Sequence, residues 1–355
     1  MASMLWDLVA EYIPQSPRSR HTPPPPPPPP QQQHNHLDTE KELQREQLRL
    51  TARETLEILP ALLRHLNRTK EAHASQKLSF QSFQSLNPNS CPGFPSRASI
   101  KVINDDTLNV AMRLSQPAHA DPRVRNPRPI IINLASYRKP GGGWLNGAIA
   151  QEEAICYRSS LALSLNRRDY PLALGESIYS PFVLLMRGDM AGGHKLLTTS
   201  TPPEDLPVIS VITIAALYRP RLRKIALRGG SSGHGGHSGH SHSGHSHSGH
   251  SHSHGSQQRT KRVFARDKDR SLTKAKMRHS LRIAAANGHG SLVLGALGCG
   301  VYGNPPAEVA HCWLEVLREA EFRGNWWREV CFAVYDPNNE GNYATFDQVL
   351  SGKKV

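Results

Sequence analysis

From residue 99 onward, runs of apolar and mostly β-branched residues alternate with stretches of helical spacing. The runs are "SIKVIN" (99–104), "PIIINLAS" (129–136), "PFVLLM" (181–186), "VISVITIAAL" (208–217), "SLVLGALG" (291–298) and "EVCFAVYD" (329–336). Between them lie "QEEAICYRSSLALSL" (151–165), "TKAKMRHSLRIAAANG" (273–288) and "AEVAHCWLEVLREAEF" (307–322), each with helical periodicity. Strands that stay apolar without polar alternation are buried on both faces. The pattern therefore predicts an α/β fold with a mixed or parallel sheet flanked by helices. In such sheets the ligand crevice lies beyond the carboxyl ends of the strands.

Ahead of this region, Leu43, Leu48, Leu50, Leu56, Leu59, Leu62 and Leu63 recur among charged residues. That spacing predicts an amphipathic helical extension, with a break or kink at Pro60. Two segments have no core-forming pattern. Residues 14–36 are rich in Pro, Gln and His, with eight successive prolines from Pro23 to Pro30. Such a run is polyproline II or disordered, and it suits an SH3- or WW-type partner. Residues 229–256 repeat His, Ser and Gly; they read as a flexible insertion without the second shell that fixes a metal site.

The chain has 355 residues, with Lys+Arg 43 against Asp+Glu 29 and a formal net charge of +14. The excess suits a polyanionic partner, although basic low-complexity segments supply part of it. Five dispersed cysteines, Cys91, Cys156, Cys299, Cys312 and Cys331, form no CxxC pair. They argue for a reducing compartment and against a disulfide framework. No stretch approaches the roughly 20 apolar residues of a membrane helix, and the N-terminus is a poor secretory signal. The expectation is an intracellular protein of nucleus or cytoplasm, acting as a monomer away from membranes.

Two glycine-rich stretches follow strands. "NLASYRKPGGGWLNGAIA" comes after the 129–136 run and "GALGCGVYGNPPAEVA" after the 291–298 run. Glycines let backbone amides approach a ligand with no side chain in the way, which suits a diphosphate. In the second stretch Asn304 is the expected N-cap of the following helix, with Pro305 and Pro306 at its start. Neither stretch matches a P-loop or a Rossmann fingerprint. Glu152 and Glu153 then open the 151–165 helix, where acids suit the macrodipole. Adjacent carboxylates do not naturally straddle a sugar at the roughly 5–9.5 Å of ordinary glycosidases. One is expected to transfer a proton while the other holds a ribose through its hydroxyls.

Taken together, "LASYRKPGGGWLNGAIAQEEAICYRSSL" (134–161) and "LVLGALGCGVYGNPP" (292–306) resemble the signature of the microbial-type poly(ADP-ribose) glycohydrolases, a macrodomain class. "TARETLEIL" (51–59) is similar to the helical N-terminal extension of that class. The resemblance runs from about Arg53 to Phe346. Composition marks a disordered tail over 1–36 and a disordered insertion at about 229–262; the resemblance implies a helical extension over 37–95 and a macrodomain-like catalytic domain over 96–350. It also implies hydrolysis of ribose–ribose O-glycosidic bonds, with no metal or other cofactor, in poly(ADP-ribose) and on ADP-ribosylated proteins. ADP-ribose turnover after DNA damage is the process it suggests.

By the same resemblance Glu153 is the catalytic acid/base and Glu152 orients the terminal ribose. Gly141, Gly142 and Gly143 form a diphosphate loop, and Gln151, ahead of the glutamates, is a further substrate-binding residue. Gly298, Cys299, Gly300, Val301, Tyr302 and Gly303 close over the other side, and Tyr302 stands where phenylalanine is common. Asn133 and Ser136 approach the distal ribose, and either Asp105 or Asp106 reaches the adenine. The segment "ITIAALYRPRL" departs from the family pattern. Three other readings compete: a macrodomain that only holds ADP-ribose, a hydrolase of mono-ADP-ribosylated protein, and a scaffold protein that uses the proline run and helices.

Overall fold

Strand Ile130–Leu134, opened by three isoleucines, lies at the centre of a seven-stranded sheet. The computed structural model describes residues 30–116, 121–226 and 260–355, with side chains from Thr39 onward. The first 29 residues, 117–120 and the His-rich insertion fall outside the described residues. In chain order the elements are α1 (Pro30–His65), α2 (Thr69–His73), β1 (Gln76–Ser79), β2 (Ile100–Ile103), α3 (Thr107–Leu114), β3 (Ile130–Leu134), α4 (Gln151–Arg158), α5 (Leu161–Ser164), β4 (Glu176–Leu184), β5 (Val208–Ile214), β6 (Leu222–Ala226), β7 (Thr260–Phe264), α6 (Asp267–Ala286), β8 (Ser291–Leu294), α7 (Pro306–Leu317), β9 (Glu329–Ala333) and α8 (Asn342–Leu350). The sheet order is β1-β4-β5-β3-β8-β9-β2, and β6 pairs with β7 in a separate ribbon.

The five strands β5, β3, β8, β9 and β2 are parallel, and β4 runs antiparallel beside β5. Burial on both faces explains their composition. Ile130 and Ile132 pack with Met277 and Leu281 of α6 and Trp313 of α7. Ile131, on the opposite face, packs with Leu108 of α3, Ile155 of α4 and Leu48 and Ala52 of α1. Burying each such aliphatic side chain contributes roughly 1.5–3 kcal/mol, before the entropy of ordering it. Among the described residues, those of 45–355 make one compact unit and those of 30–44 fall in a second. Among the described residues no helix is long and apolar enough to cross a membrane.

The differences from the expected elements have local causes. Helix α1 begins at Pro30, within the segment assigned to the tail, where a proline suits a first helical turn. It continues through Pro60 to His65. Residues 76–79, within the expected helical extension, form the edge strand β1 against β4. Strand β4 starts at Glu176, five residues before the apolar run. It accommodates Pro181 at a shift in register between Ser180 and Val183, where the missing N–H is not required. Helix α4 stops at Arg158 because Ser159 is extended. The Ser159 hydroxyl donates to Ile155 O at 2.7 Å and accepts from Leu161 N at 3.2 Å, replacing backbone partners.

Parallel strands place several loops at one edge of the sheet. Residues 135–150 follow β3, 215–221 follow β5 and 295–305 follow β8. The His-rich insertion is bracketed by β6 and β7, whose ends Ala226 and Thr260 are register partners.

Candidate active site

Helix α4 has no side-chain cap at Ala150, and its first turn instead carries Gln151, Glu152 and Glu153. The two acids are 2% and 8% exposed, so they do more than face solvent near a helix dipole. Gln151 ties the helix to the sheet. Its Oε1 accepts from Leu134 N at 2.7 Å, and its Nε2 donates to Ile132 O at 2.7 Å and Thr107 Oγ1 at 3.1 Å. The amide is therefore committed to the end of β3.

Consecutive residues on a helix point in different directions, and here that separates the acids. Glu152 turns toward β3: its Oε2 accepts from Ser136 N at 2.7 Å and its Oε1 from Asn133 Nδ2 at 3.4 Å. Asn133 also donates to Thr213 Oγ1 at 3.2 Å, which fixes the amide. Glu153 turns toward the glycine loop, where its Oε1 accepts from Gly143 N at 2.8 Å. Among the described residues Glu153 Oε2 has no hydrogen-bond partner, whereas both oxygens of Glu152 are held. Burial, backed by the like charge of Glu153, pushes the Glu152 carboxyl up to about 8. Glu152 thus keeps its proton near neutral pH.

The glycines are required by this closeness. Gly141 and Gly142 have φ of 66° and 55°, in the left-handed region. A Cβ on Gly142 would collide with Glu153 Oε1 and lie 2.9 Å from Glu152 Oε2. One on Gly141 would lie 2.7 Å from Trp144 Cδ1. On the second loop, Gly298 has φ of 74° and a Cβ there would strike Ala216 and Asn304. Asn304 is not the N-cap of α7; Pro305 holds that position. Asn304 instead braces the loop, its Nδ2 donating to Leu217 O at 2.8 Å and Gly298 O at 3.2 Å. Gly303 N donates to Gly300 O at 2.8 Å and completes the turn. Around Gly300 a Cβ would meet open space, and Val301 is 75% exposed. Burial drives the Cys299 thiol far up, which leaves it without nucleophilic character.

Tyr302 joins the two loops. Its hydroxyl accepts from Tyr137 N at 3.2 Å, so the departure from phenylalanine adds a loop-to-loop hydrogen bond. Arg219 N donates to Tyr302 O at 2.9 Å, and the Tyr218 ring meets Tyr302 edge-on at 5.2 Å. Asp105 and Asp106 lie at the start of α3. Asp106 caps it, accepting from Leu108 N at 2.7 Å and Asn109 N at 3.3 Å, and pairs with the buried Arg158. Asp105 accepts from Asn109 at 2.9 Å and Arg113 at 2.7 Å. Burial alone would raise the Asp105 carboxyl, but these hydrogen bonds outweigh it and hold it below its usual value. Neither aspartate bonds directly to the glutamate pair.

Among the described residues, the buried side-chain atoms without a partner include Asn133 Oδ1, Asn304 Oδ1 and Tyr170 Oη. The charge of Glu152 acts on Tyr170, whose hydroxyl is pushed strongly up, chiefly by burial. Unsatisfied buried atoms beside the acids are acceptors and donors for a ligand hydroxyl. Tyr137, Tyr170, Tyr218 and Arg219 were not singled out in the sequence. For Tyr137 the one available signal is its place directly after Ser136.

Comparison with known proteins follows from this geometry. The family model for the catalytic domain of microbial-type PARG matches residues 38–188. The X-ray structure of poly(ADP-ribose) glycohydrolase from Thermomonospora curvata is 25% identical, with a TM-score of 0.61, and the match covers 86% of this chain and 99% of that chain. The same bacterial protein bound to the inhibitor ADP-HPD matches with a TM-score of 0.58 at 25% identity and the same coverage. Poly(ADP-ribose) glycohydrolase from Deinococcus radiodurans, in complex with ADP-ribose, is 24% identical over 79% of this chain and 96% of that chain, with a TM-score of 0.52. This last likeness bears on the fold. No curated protein sequence matches the chain.

Proposed function

We propose that this chain, which belongs to the microbial-type poly(ADP-ribose) glycohydrolases, hydrolyses the ribose–ribose O-glycosidic bonds of poly(ADP-ribose) and releases ADP-ribose. The observation that carries the reading is the unequal anchoring of two adjacent buried acids. Both oxygens of Glu152 are held, whereas Glu153 keeps Oε2 free beside the glycine loop.

The chemistry follows from that division. Glu152 and Asn133 Oδ1 orient the hydroxyls of the ribose whose bond is cleaved. Glu153 protonates the leaving oxygen as an oxocarbenium ion develops at the anomeric carbon. The diphosphate of the same unit, held by residues 141–143 and 298–303, stabilises that cation through its negative charge. Glu153 then accepts a proton from the attacking water, which returns the acid to its starting state.

The same reading places the chain with the macrodomains and its activity in polymer turnover after DNA damage. Its support is the resemblance of the glycine and QEE motifs. The five cysteines, all free thiols, favour the nucleus or cytoplasm. The proline run Pro23–Pro30 supports an SH3- or WW-type partner.

The test is a gel of labelled poly(ADP-ribose) incubated with the parent protein and with Glu153→Gln. Polymer should vanish with the parent and persist with the variant. An untouched polymer beside tight ADP-ribose binding by the parent would instead identify a reader or a hydrolase of another linkage.

A further inference from the structure

A cavity of about 880 Å³ opens beyond the carboxyl end of β5, formed by the segment 215–221, by Pro171–Leu174 and by the start of α6. Its size is within the range of small-molecule sites. It adjoins the glutamate pair through a single peptide. Ser136 N bonds to Glu152, and the next residue, Tyr137, lines the cavity.

The lining is cationic. Arg219, Arg221 and Lys268 are exposed, and no carboxylate pairs with them among the described residues. Arg266 is neutralised by Asp269 at 2.8 and 3.0 Å. Lys276 is different: it is 1% exposed, and its ammonium has only Leu174 O as partner. Burial alone lowers it to about 8. A buried cation without a counter-ion weakens a fold, so a residue of this kind at a cavity wall calls for an anionic ligand. Aromatic faces complete the lining. Tyr218 is 49% exposed, Arg219 lies over its ring at 5.4 Å, and Tyr137 stands 6.2 Å away.

We propose that this cavity binds the polymer unit on the leaving side of the scissile bond, its diphosphate against Lys276, Arg221 and Lys268 and its adenine on Tyr218. The assignment rests on the glycohydrolase reading of the adjoining acids. Terminal ribose and diphosphate occupy the two glycine loops; the bond to be cleaved joins that ribose to the next unit. The next unit therefore leaves past Ser136 and Tyr137, toward this cavity. Stacking on an aromatic face and neutralisation of phosphates are the two ways in which proteins hold such a strand. The cavity makes the chain selective for polymer over ADP-ribose glycosides that carry a small leaving group.

The experiment uses the full chain and two substrates: long poly(ADP-ribose), and an aryl α-glycoside of ADP-ribose whose leaving group has no phosphate. The ratio of kcat/KM between them is measured for the parent and for Arg221→Ser/Lys268→Ser, both exposed positions. Binding of labelled oligomer and of ADP-ribose is measured in parallel. The double variant should lower the polymer-to-glycoside ratio about tenfold and weaken oligomer binding more than ADP-ribose binding. Lys276→Met should lower the same ratio. Equal losses on both substrates, or none, would overturn the cavity assignment while leaving the glycohydrolase reading standing. A parent that cleaves neither substrate would overturn the glycohydrolase reading, and the oligomer-binding arm would still decide the cavity.

Discussion

Gly142 and Glu153 are in contact across the motif: the glycine Cα faces the carboxylate so closely that a methyl group would overlap Oε1. The backbone N–H of Gly143 then bonds to that same oxygen at 2.8 Å. The triple glycine therefore has two roles, opening amides to a ligand and admitting the acids from α4. Loop and helix form one unit although seven residues separate them.

Gly142→Ala should abolish activity and cost stability. Its φ of 55° is strained for alanine, by about 1–2 kcal/mol, and the new methyl displaces both carboxylates. Gly93→Ala, outside both loops, is the control. Its φ is 67° with open space around the Cβ, so it incurs the strain alone. Thermal denaturation and polymer turnover of the two variants should agree on stability loss and differ on activity.

Glu153→Gln should lower kcat by about 10²–10⁴, the range for loss of a positioned acid/base. Binding of ADP-ribose should persist, because the amide can still accept from Gly143 N. Calorimetric titration of the variant with ADP-ribose checks this. A lost Kd with residual turnover would exchange the roles assigned to the two glutamates.

The central strands were legible because burial on both faces writes a continuous apolar run, as in "PIIINLAS". The acids and the two glycine loops were legible as a spaced motif. Edge strand β1 was not, since "QKLS" has neither β-branched residues nor a clear alternation. The Tyr302–Tyr137 bond joins positions 165 residues apart, and no local pattern marks such a pairing. Lys276 reads in the sequence as one more charged residue on an amphipathic helix; only the packing of α6 shows it to be buried. Asn304 resembled a cap by its place before two prolines, but Pro305 supplies the extended backbone and frees the amide to brace the loop.

Glu152→Gln should alter how stability changes with pH. The folded carboxyl is raised to about 8 from an ordinary 4.5. Below pH 4.5 it is protonated in both folded and unfolded chains. Between 4.5 and 8 the unfolded chain releases the proton and the folded chain retains it, so stability falls as pH rises. The parent should therefore lose stability between pH 5 and 8, on the order of a few kcal/mol, relative to the glutamine variant. Urea unfolding midpoints at the two pH values measure the difference, and parallel behaviour would contradict it.

Tyr302→Phe should separate the hydroxyl from the ring. The ring packing on Tyr218 at 5.2 Å is retained, while Tyr137 N loses its acceptor. A cost of about 1 kcal/mol in stability is expected for the lost bond. Since Tyr137 follows the Ser136 amide that holds Glu152, KM for polymer should rise more than kcat falls. A change confined to kcat would mean that the hydroxyl touches the reacting ribose rather than bracing the loops.

Lys276→Met sets stability against binding at one residue. The ammonium is lowered to about 8 from 10.5 by burial. Between pH 8 and 10.5 the unfolded chain holds a proton that the folded chain has lost, so the lysine costs most below pH 8. Methionine has similar bulk and no charge, and it loses only the bond to Leu174 O. At pH 7 the variant should therefore unfold at a higher temperature than the parent, by an amount that shrinks as pH rises toward 10. Thermal scans at pH 7 and pH 10 test the stability half of the argument. If the variant gains stability and keeps full polymer preference, the buried cation is an unused burden on the fold. If it gains stability and loses polymer preference, the parent keeps a destabilising lysine for the anion that it binds.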